Sequence, residues 1–184
     1  MSEAIQLWHT EHEYFARLLD ALERQIKAFQ AAESPDYQLM RDIIFYLHHY
    51  SDRFHHPRED AVFERVAERD PSLRVDVDAL RKQHQTLAKS GAQLHTLLEE
   101  VEGGALLPRD KVRTAAKAYL SQYRKHIETE ENGIMQRADE LLTAEDWQSS
   151  TLAAHNEPDP LFGPNPAERF RELRRQLALE SQGD

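Results

Sequence analysis

The stretches HHPREDAVF, at residues 55–63, and KHIETEENGIM, at residues 125–135, share one pattern that decides how the chain is interpreted. In each stretch a histidine is followed four residues later by a glutamate, and a second acid comes directly after that glutamate. Side chains four residues apart lie on the same face of an α-helix, so each His–Glu pair can reach one metal ion. The two pairs are His55–Glu59 and His126–Glu130.

Long amphipathic stretches surround both motifs. Their apolar residues recur at alternating steps of three and four, which is typical of helices that pack on a common core. We predict helix A from Glu3 to Ala32, helix B from Asp36 to Arg69, helix C from Leu73 or Val75 to Glu102, and helix D from Pro108 to Leu142. Pro57 predicts a kink within helix B. The sequence therefore predicts an all-α, up-down-up-down four-helix bundle over residues 1–142.

A C-terminal extension, residues 143–184, follows the predicted bundle. Thr143 and Asp146 resemble a capping box at the start of a short fifth helix, with Asp where Glu or Gln is usual. Residues 156–166 are rich in proline and are predicted to be irregular. The residues from Ala167 to Leu179 have a helical pattern, and we expect this part to pack on the outside of the bundle and to fray at its end.

Composition excludes several classes of function. The chain has 184 residues, no cysteine and a formal net charge of -10, so disulfides and thiolate metal sites are excluded. Nucleic acid is not an expected partner because its phosphates would be repelled. No apolar stretch is long enough to span a bilayer and the N-terminus lacks the order of a signal peptide, so we expect no membrane partner and a cytoplasmic location. The 10 histidines are a large supply of a common metal ligand.

Two further histidines, His12 and His84, interrupt the apolar seams of helices A and C. Each lies about as far from its shared turn as the His–Glu pair of the next helix, so antiparallel packing brings the four histidines to one level. Buried polar groups at one level are costly unless a cation neutralises them, and helical bundles bind metal pairs with such side chains. We predict a metal centre there, nearer the end with the B–C turn. Its predicted ligands are His12, His55, Glu59, His84, His126 and Glu130.

The donor chemistry restricts the metal. Imidazole and carboxylate without thiolate suit two iron ions, and also manganese or zinc, with Glu59 and Glu130 as bridges between the ions. His48 lies seven residues before His55 and shares its predicted face, either as a fifth imidazole ligand or as an outer hydrogen-bond partner. If His48 and His55 point inward, His56 is expected to point elsewhere.

Two pairs of residues close to the predicted ligands in the sequence can each be interpreted in two ways. Tyr119 and Tyr123 lie on the seam of helix D before the second motif, where they either donate a hydrogen bond to a bound oxygen species or pack in the core. Asp60 and Glu131 either hold the ligating histidines by hydrogen bonds or are solvated charges.

At these residues the chain resembles the hemerythrin-like, HHE cation-binding family. The matching segments are EHEYF with His12, HHPREDAVF with His55 and Glu59, QHQTL with His84, and HIETEENGIM with His126 and Glu130. The resemblance covers about residues 5–140. It implies a four-helix bundle with a non-haem di-iron centre, in a family whose members carry, store or sense oxygen, sense iron, or respond to nitric oxide and peroxide.

Two departures from the oxygen-carrying hemerythrins bear on function. Those proteins have five histidine ligands, two of them on the third helix, whereas here Ala88 stands one turn after His84. They also have a longer-spaced aspartate on the fourth helix, whereas here Glu130 lies four residues after His126, with Glu131 at the longer spacing. The resemblance therefore implies a more symmetric site with one or more open positions, which suits sensing or redox chemistry.

Three functions follow as hypotheses from this sequence. The first is a binding protein that holds a di-iron pair and takes oxygen or a related small ligand for sensing, storage or delivery. The second is a di-iron oxidase or peroxidase that acts on oxygen or hydrogen peroxide with the same ligands. The third is a bundle with a structural metal whose C-terminal extension docks a partner. The first is favoured because the sequence shows no substrate pocket and no dedicated proton relay.

Overall fold

The structure is a computed structural model, and it describes residues 2–31, 33–148 and 158–180. Four helical runs form a bundle, and a shorter C-terminal segment packs against it. The helices are α1 (Glu3–Gln30), α2 (Tyr37–Tyr46), α3 (His56–Arg69), α4 (Arg74–Glu102), α5 (Arg109–Thr129), α6 (Met135–Leu141), α7 (Ala144–Gln148) and α8 (Arg171–Glu180). Two π-helical segments join them, π1 (Leu47–His55) and π2 (Glu130–Ile134), with short 3₁₀ turns at Pro71–Leu73 and Glu168–Phe170. The predicted last residue of helix A, Ala32, lies outside the described residues.

The helical runs form a closed ring of neighbours. Helix α1 packs against α2 and α5, and α4 packs against α2, α3 and α5. Because the connections between consecutive runs are short, each run is antiparallel to the next. The predicted up-down-up-down four-helix bundle is confirmed.

Local signals set where these helices begin and end. The side chain of Ser2 accepts a hydrogen bond from the amide of Ile5 at the start of α1, and Asp36 accepts one from Leu39 at the start of α2. Such side chains satisfy amides that have no partner within the first turn. After α4 the backbone of Gly104 has a φ of 85°, a conformation that side-chain-bearing residues rarely adopt.

The hydrophobic core is divided into two clusters. The larger cluster fills the end of the bundle that contains the α1–α2 and α4–α5 turns, and Phe15, Ile44 and Leu94 belong to it. The smaller cluster lies at the α3–α4 end and includes Trp8 and Val66. A layer of buried polar side chains separates the two clusters, so the polar layer lies nearer the α3–α4 turn.

The predicted single helix B is interrupted between α2 and α3. In π1 the amide of His56 donates to the carbonyl of Ser51, five residues back. Pro57 then occupies the first turn of α3, where the absence of an amide hydrogen costs little. The carbonyl of Phe54 accepts a hydrogen bond from Nε of Arg58, at 3.0 Å. The interruption at Pro57 therefore takes the form of a π segment that changes which side chains face the core.

Residues 158–180 of the C-terminal extension pack against the large core cluster, whereas Trp147 of α7 packs against the smaller one. Leu161, Phe170, Leu173 and Leu177 all belong to the large cluster. The ring of Phe162 stacks on that of Tyr14 with centroids 4.2 Å apart.

The capping box at the start of α7 forms as predicted: the amide of Thr143 donates to the Asp146 carboxylate, and the amide of Asp146 donates to the Thr143 hydroxyl. Parts of the predicted irregular and fraying segments lie outside the described residues, at residues 156, 157 and 181–184. Within the described ranges, no helix combines the length and the apolar character that crossing a membrane requires.

Candidate metal centre

The π segments set which side chains enter the polar layer. A π turn takes about one residue more than an α turn, because each amide bonds to the carbonyl five residues back instead of four. The turn at the end of π1 places both His55 and His56 in the interior, with 0% and 3% exposure. In π2 the amide of Met135 donates to the carbonyl of Glu130, again five residues back. Both His–Glu motifs therefore lie at π segments, which occur often at functional sites.

Three of the predicted ligands form one compact set, which we call the first donor group: His12, His55 and Glu59. Nε2 of His12 lies 3.0 Å from Nε2 of His55. Oε1 of Glu59 lies 3.1 Å from Nε2 of His55 and 3.4 Å from Nε2 of His12. Three donor atoms from α1, π1 and α3 thus face one point.

A second donor group, His56, Glu59, His84 and His126, lies beside the first. Glu59 belongs to both groups, since its Oε2 lies 3.7 Å from Nε2 of His84. Glu130 also spans both groups. Its Oε1 lies 3.1 Å from Nε2 of His84, and its Oε2 lies 3.2 Å from Nε2 of His126 and 3.6 Å from Nε2 of His12. Glu59 therefore presents one oxygen to each group, whereas Glu130 reaches the first group only through Oε2, which also contacts His126.

The spacing and bonding of these donors fit bound cations. A metal–nitrogen bond is about 2.0–2.1 Å long, and two such bonds at a right angle place their donor atoms about 3 Å apart. The shortest donor–donor distances, 3.0 to 3.2 Å, match that spacing. Both carboxylate oxygens of Glu59, Oε2 of Glu130 and Nε2 of His126 are buried without a hydrogen-bond partner. Buried polar atoms that face one another unpaired are costly, and divalent cations would remove that cost.

The outer nitrogen of each predicted histidine ligand is held by another side chain. In the tautomer that leaves Nε2 free, Nδ1–H of His12 donates to Glu131 at 2.7 Å and that of His84 donates to Asp60 at 3.0 Å. The carboxyl groups of Asp60 and Glu131 therefore hold histidines, which decides between the two interpretations of these acids. Asp60 directly follows Glu59 and contacts His84 of α4. Glu131 directly follows Glu130 and contacts His12 of α1.

The remaining two histidines are held by residues that the sequence interpretation missed. Nδ1 of His55 lies 2.6 Å from Oε2 of Glu11, and Nδ1 of His126 lies 3.2 Å from Oε1 of Gln83. Three of the four outer partners are thus carboxylates and one is an amide. Glu11 and Gln83 each directly precede a seam histidine in the sequence, and that adjacency is the signal that could have found them.

Glu11 belongs to a buried network of its own. Nη2 of Arg58 donates to both of its oxygens, at 2.8 and 2.7 Å, and the Tyr50 hydroxyl donates to Oε1 at 2.8 Å. Burial raises the pKa of the Glu11 carboxyl, but His55 and Arg58 outweigh burial and lower it to about 2. His55 is therefore held by a carboxylate that stays charged.

The electrostatics of the metal-free protein divide the histidines into two kinds. Burial lowers the pKa of His12, but its hydrogen bond to Glu131 and the nearby carboxylates of Glu59 and Glu130 raise it to about 10. The pKa of His84 is likewise raised to about 10 against the effect of burial, chiefly by Asp60 and Glu130. Two imidazoles are thus protonated at neutral pH in the absence of metal.

The other two imidazoles of the second donor group behave in the opposite way. Burial, together with neighbouring histidine charges, lowers the pKa of His56 and that of His126 well below the usual value. Burial and the charge of Glu59 raise the pKa of Glu130 to about 7. The second donor group therefore combines two imidazoles that stay neutral with a carboxyl group whose pKa is raised.

The structure brings the six predicted ligands together at 0–5% exposure. It does not bring His48 into either donor group: its side chain is 44% exposed and its Nδ1 bonds to Asp52 at 2.9 Å. His56 was expected to point elsewhere if His48 and His55 both pointed inward, but His48 is exposed and His56 lies in the interior instead. An unbroken α-helix would put His48 and His55 on one face. The π segment that contains both residues (Leu47–His55) has a longer turn, so His48 faces solvent while His55 faces the core.

His56 has close contacts on both nitrogens. Nε2 lies 3.0 Å from the Ser51 hydroxyl, and Nδ1 lies 3.2 Å from Oδ1 of Asp52. The ring stacks on His84, with centroids 4.2 Å apart and planes at 8°. The Ser51 hydroxyl also bonds to the Tyr123 hydroxyl. Tyr123 therefore has a protein partner beside His56, while the Tyr119 hydroxyl is buried without a hydrogen-bond partner.

Comparison with known proteins agrees with this geometry. A model of the Hemerythrin HHE cation binding domain matches residues 3–138, which is well over half of the chain. Comparisons with curated proteins and with solved structures gave no match. The matched range contains both donor groups and all four outer partners.

Proposed function

The chain belongs to the hemerythrin HHE cation-binding family, and on that premise we propose that it binds two iron ions and takes oxygen or a related small ligand. One ion would lie in each donor group, with Glu59 and Glu130 spanning both groups. His12 and His55 would hold one ion, and His84 and His126 the other. Manganese and zinc suit the same nitrogen and oxygen donors, so metal analysis of the purified protein is part of the test.

The observation that carries the proposal is the convergence of six buried donors at distances that fit shared metals. The nearest donor atoms lie 3.0–3.2 Å apart, and four of the buried donor atoms have no hydrogen-bond partner. These atoms are both oxygens of Glu59, Oε2 of Glu130 and Nε2 of His126, and buried polar atoms are normally satisfied by the protein. The coordination of cations explains the unsatisfied atoms and the spacing together.

We leave His56 out of the proposed ligand set. To bind an ion through Nε2, His56 would have to give up its hydrogen bond with Ser51. Its parallel stacking on His84 supports a role in orienting that ring. If metal analysis showed that a further donor is needed, His56 would be the residue to add, because it belongs to the second donor group.

The burial of the donors favours a small ligand over a large substrate. The most exposed of the six proposed ligands, His84, is 5% exposed. The buried ring of Phe15 packs edge-on against His55 with centroids 4.9 Å apart, and Trp8, one turn before His12 in α1, is 1% exposed. A diatomic molecule can pass such packing by small side-chain movements, whereas a substrate of metabolite size would need the bundle to open.

The protein side chains would hold the centre in place and keep it dry. Iron in such a pair supplies the electrons that oxygen chemistry needs. Glu11, Asp60 and Glu131 fix the tautomer and the orientation of three imidazoles through their Nδ1 atoms. The aromatic residues around them exclude water from the donor atoms.

The test is a visible spectrum of the reduced, iron-loaded protein on addition of oxygen. A new band that disappears on degassing and returns with oxygen supports the proposal. Irreversible bleaching, with consumption of added peroxide, would contradict reversible binding and assign the protein to the oxidases or peroxidases. Iron content of two per chain is expected, and a chain purified without bound metal that fails to take up ferrous iron would end the proposal.

A further inference from the structure

The centre has two halves: the first half comes from α1–α3 and the second from α4–α6. Both halves have the same arrangement of hydrogen-bond partners around their histidines. In each half, the residue before the seam histidine bonds to the motif histidine of that half: Glu11 to His55, and Gln83 to His126. In each half, the acid after the motif glutamate bonds to the seam histidine of the other half. Glu11 and Gln83 therefore occupy equivalent positions in an internally repeated centre.

The equivalent positions differ in charge. Glu11 is a carboxylate that is 2% exposed and paired with Arg58. Counting from the motif histidine, the position of Arg58 in the first half corresponds to Thr129 in the second. The hydroxyl of Thr129 donates to the carbonyl of Lys125, one turn back in the same helix, and the side chain carries no charge. The second half thus lacks both the carboxylate and the arginine that would balance it.

We propose that Gln83 makes the His84–His126 position the weaker of the two metal positions, so that iron is taken up there last and released first. This inference rests on the proposed function, because it presupposes a centre for two ions. Gln83 acts as a positioning residue: it contacts the outer nitrogen of His126 and not the metal.

The physical reason lies in the donor strength of the imidazole. A carboxylate that accepts the Nδ1 proton raises the electron density on Nε2, and loss of such a partner typically lowers metal affinity 10–100-fold. An amide oxygen carries only a partial charge and polarises the ring less. The longer Nδ1–oxygen distance for His126, 3.2 Å against 2.6 Å for His55, agrees with a weaker hydrogen bond.

Solvent access favours exchange at the same position. Gln83 lines two surface grooves beside α4, one of about 190 Å³ that it shares with Leu80 and Ile134, and one of about 470 Å³ that it shares with Leu87 and Gln122. Glu11, by contrast, lies beneath Arg58 and Tyr50. A change at Gln83 therefore alters the edge of the bundle and leaves the core packing in place.

The reciprocal variants Gln83→Glu and Glu11→Gln test the inference. Metal-free protein is titrated anaerobically with ferrous iron in competition with a chromophoric chelator. We expect two steps for the natural chain that differ 10-fold or more, beyond the statistical factor for two sites. Gln83→Glu strengthens the weaker step about 10-fold and brings the two steps together. Glu11→Gln weakens the tighter step instead.

Two controls assign the steps. His126→Ala, measured in the same titration, removes the weaker step and keeps the tighter one. Gln83→Leu removes the acceptor without adding charge and weakens the weaker step further. Thermal unfolding of each metal-free variant checks the fold, because Glu11→Gln leaves Arg58 without its carboxylate whereas the Gln83 variants disturb no buried ion pair.

The outcomes separate this inference from the proposed function. If the natural chain bound no iron, the proposed function would fail. If it bound two ions and Gln83→Glu changed neither step, or if His126→Ala removed the tighter step, the proposed function would stand and the role assigned to Gln83 would be wrong.

Discussion

The first helical hairpin of the bundle, α1 with α2–π1–α3, and the second, α4 with α5–π2–α6, carry the same donors in different surroundings. Each provides one seam histidine, one motif histidine and one glutamate that faces both donor groups. Each also has a π segment at its motif. The first hairpin adds a buried carboxylate–arginine pair behind its motif histidine, and the second has an amide there.

The comparison separates what a two-ion centre requires from what can vary around it. In the centre that we propose, the donors and their level in the bundle are repeated because each ion would need imidazole nitrogen and carboxylate oxygen. The partners behind the donors are not repeated, and they set how strongly each imidazole binds. The repeated and unrepeated parts can be tested separately.

The largest expected effect comes from removing a seam histidine from either hairpin. His12→Ala and His84→Ala should each lower the iron content from two per chain towards one, with affinity for the affected ion reduced by more than about 100-fold, since loss of an outer partner alone costs 10–100-fold. Metal analysis after gel filtration measures this. His95→Ala, at a residue whose nitrogen lies 3.5 Å from Glu99 away from the centre, is the matched control and should retain two ions.

The next largest effect is on the free energy of unfolding, at the pair of equivalent positions, Arg58 and Thr129, that differ between the hairpins. Arg58→Met leaves Glu11 buried without its cation, and removing one partner of a buried ion pair costs about 3–5 kcal/mol. The equivalent change in the second hairpin, Thr129→Met at a half-buried residue that carries no charge, should lower the unfolding free energy by much less, because it breaks no buried ion pair. Urea unfolding of the metal-free proteins measures both, and equal effects would mean that the Glu11–Arg58 pair has no special role.

Proton release on metal binding tests what the hairpins have in common. His12 and His84 each have a pKa raised to about 10 in the metal-free protein, so both are charged at pH 8 and must lose a proton to bind metal. We expect at least about two protons released per chain at pH 8, and metal affinity that rises with pH up to about pH 10. Calorimetric titration in buffers of different ionisation enthalpy counts these protons; affinity independent of pH would contradict the assignment.

The same pKa shifts predict the pH dependence of the metal-free fold. Because the pKa of each imidazole is raised above its ordinary value of 6.5, the stability that each contributes is fully present below pH 6.5 and is lost as the pH rises through 10. His126→Ala should change this dependence little, because burial lowers the pKa of His126 and leaves the ring neutral.

The smallest expected effect comes from His48, which would face the centre if helix B were an unbroken α-helix. His48→Ala should keep two ions and leave the oxygen-dependent spectrum unchanged, because the side chain of His48 bonds to Asp52 and is 44% exposed. His56→Phe keeps a flat ring against His84 and should also retain both ions. Loss of an ion from the His56 variant would add that residue to the ligand set.

Much of the fold follows from the sequence because a bundle depends on regular spacing. The four helices, their order and the family were predicted from apolar steps of three and four and from the HHPREDAVF and KHIETEENGIM motifs, and the fold and the family are confirmed. The convergence of His12, His55, His84 and His126 follows from equal distances to shared turns. Their role as metal ligands stays a prediction.

The faces of His48 and His56 could not be predicted because they depend on a local change of helical period. Pro57 indicated an interruption in helix B, but an α-helical period carried through it put His48 inward and His56 outward. The structure has a π segment there, which has the opposite effect. Glu11 and Gln83 were missed for a different reason: an acid or amide beside a histidine has no distinctive spacing, and its bond to a histidine on the next helix appears only when the helices pack.

In the centre that we propose, two ions lie side by side between the two hairpins. Anomalous diffraction from crystals of the iron-loaded protein tests it most directly. We predict two iron peaks about 3.5–4 Å apart, one beside His12 and His55 and the other beside His84 and His126, with Glu59 and Glu130 contacting both. A single peak, or iron bound away from these side chains, would contradict the claim.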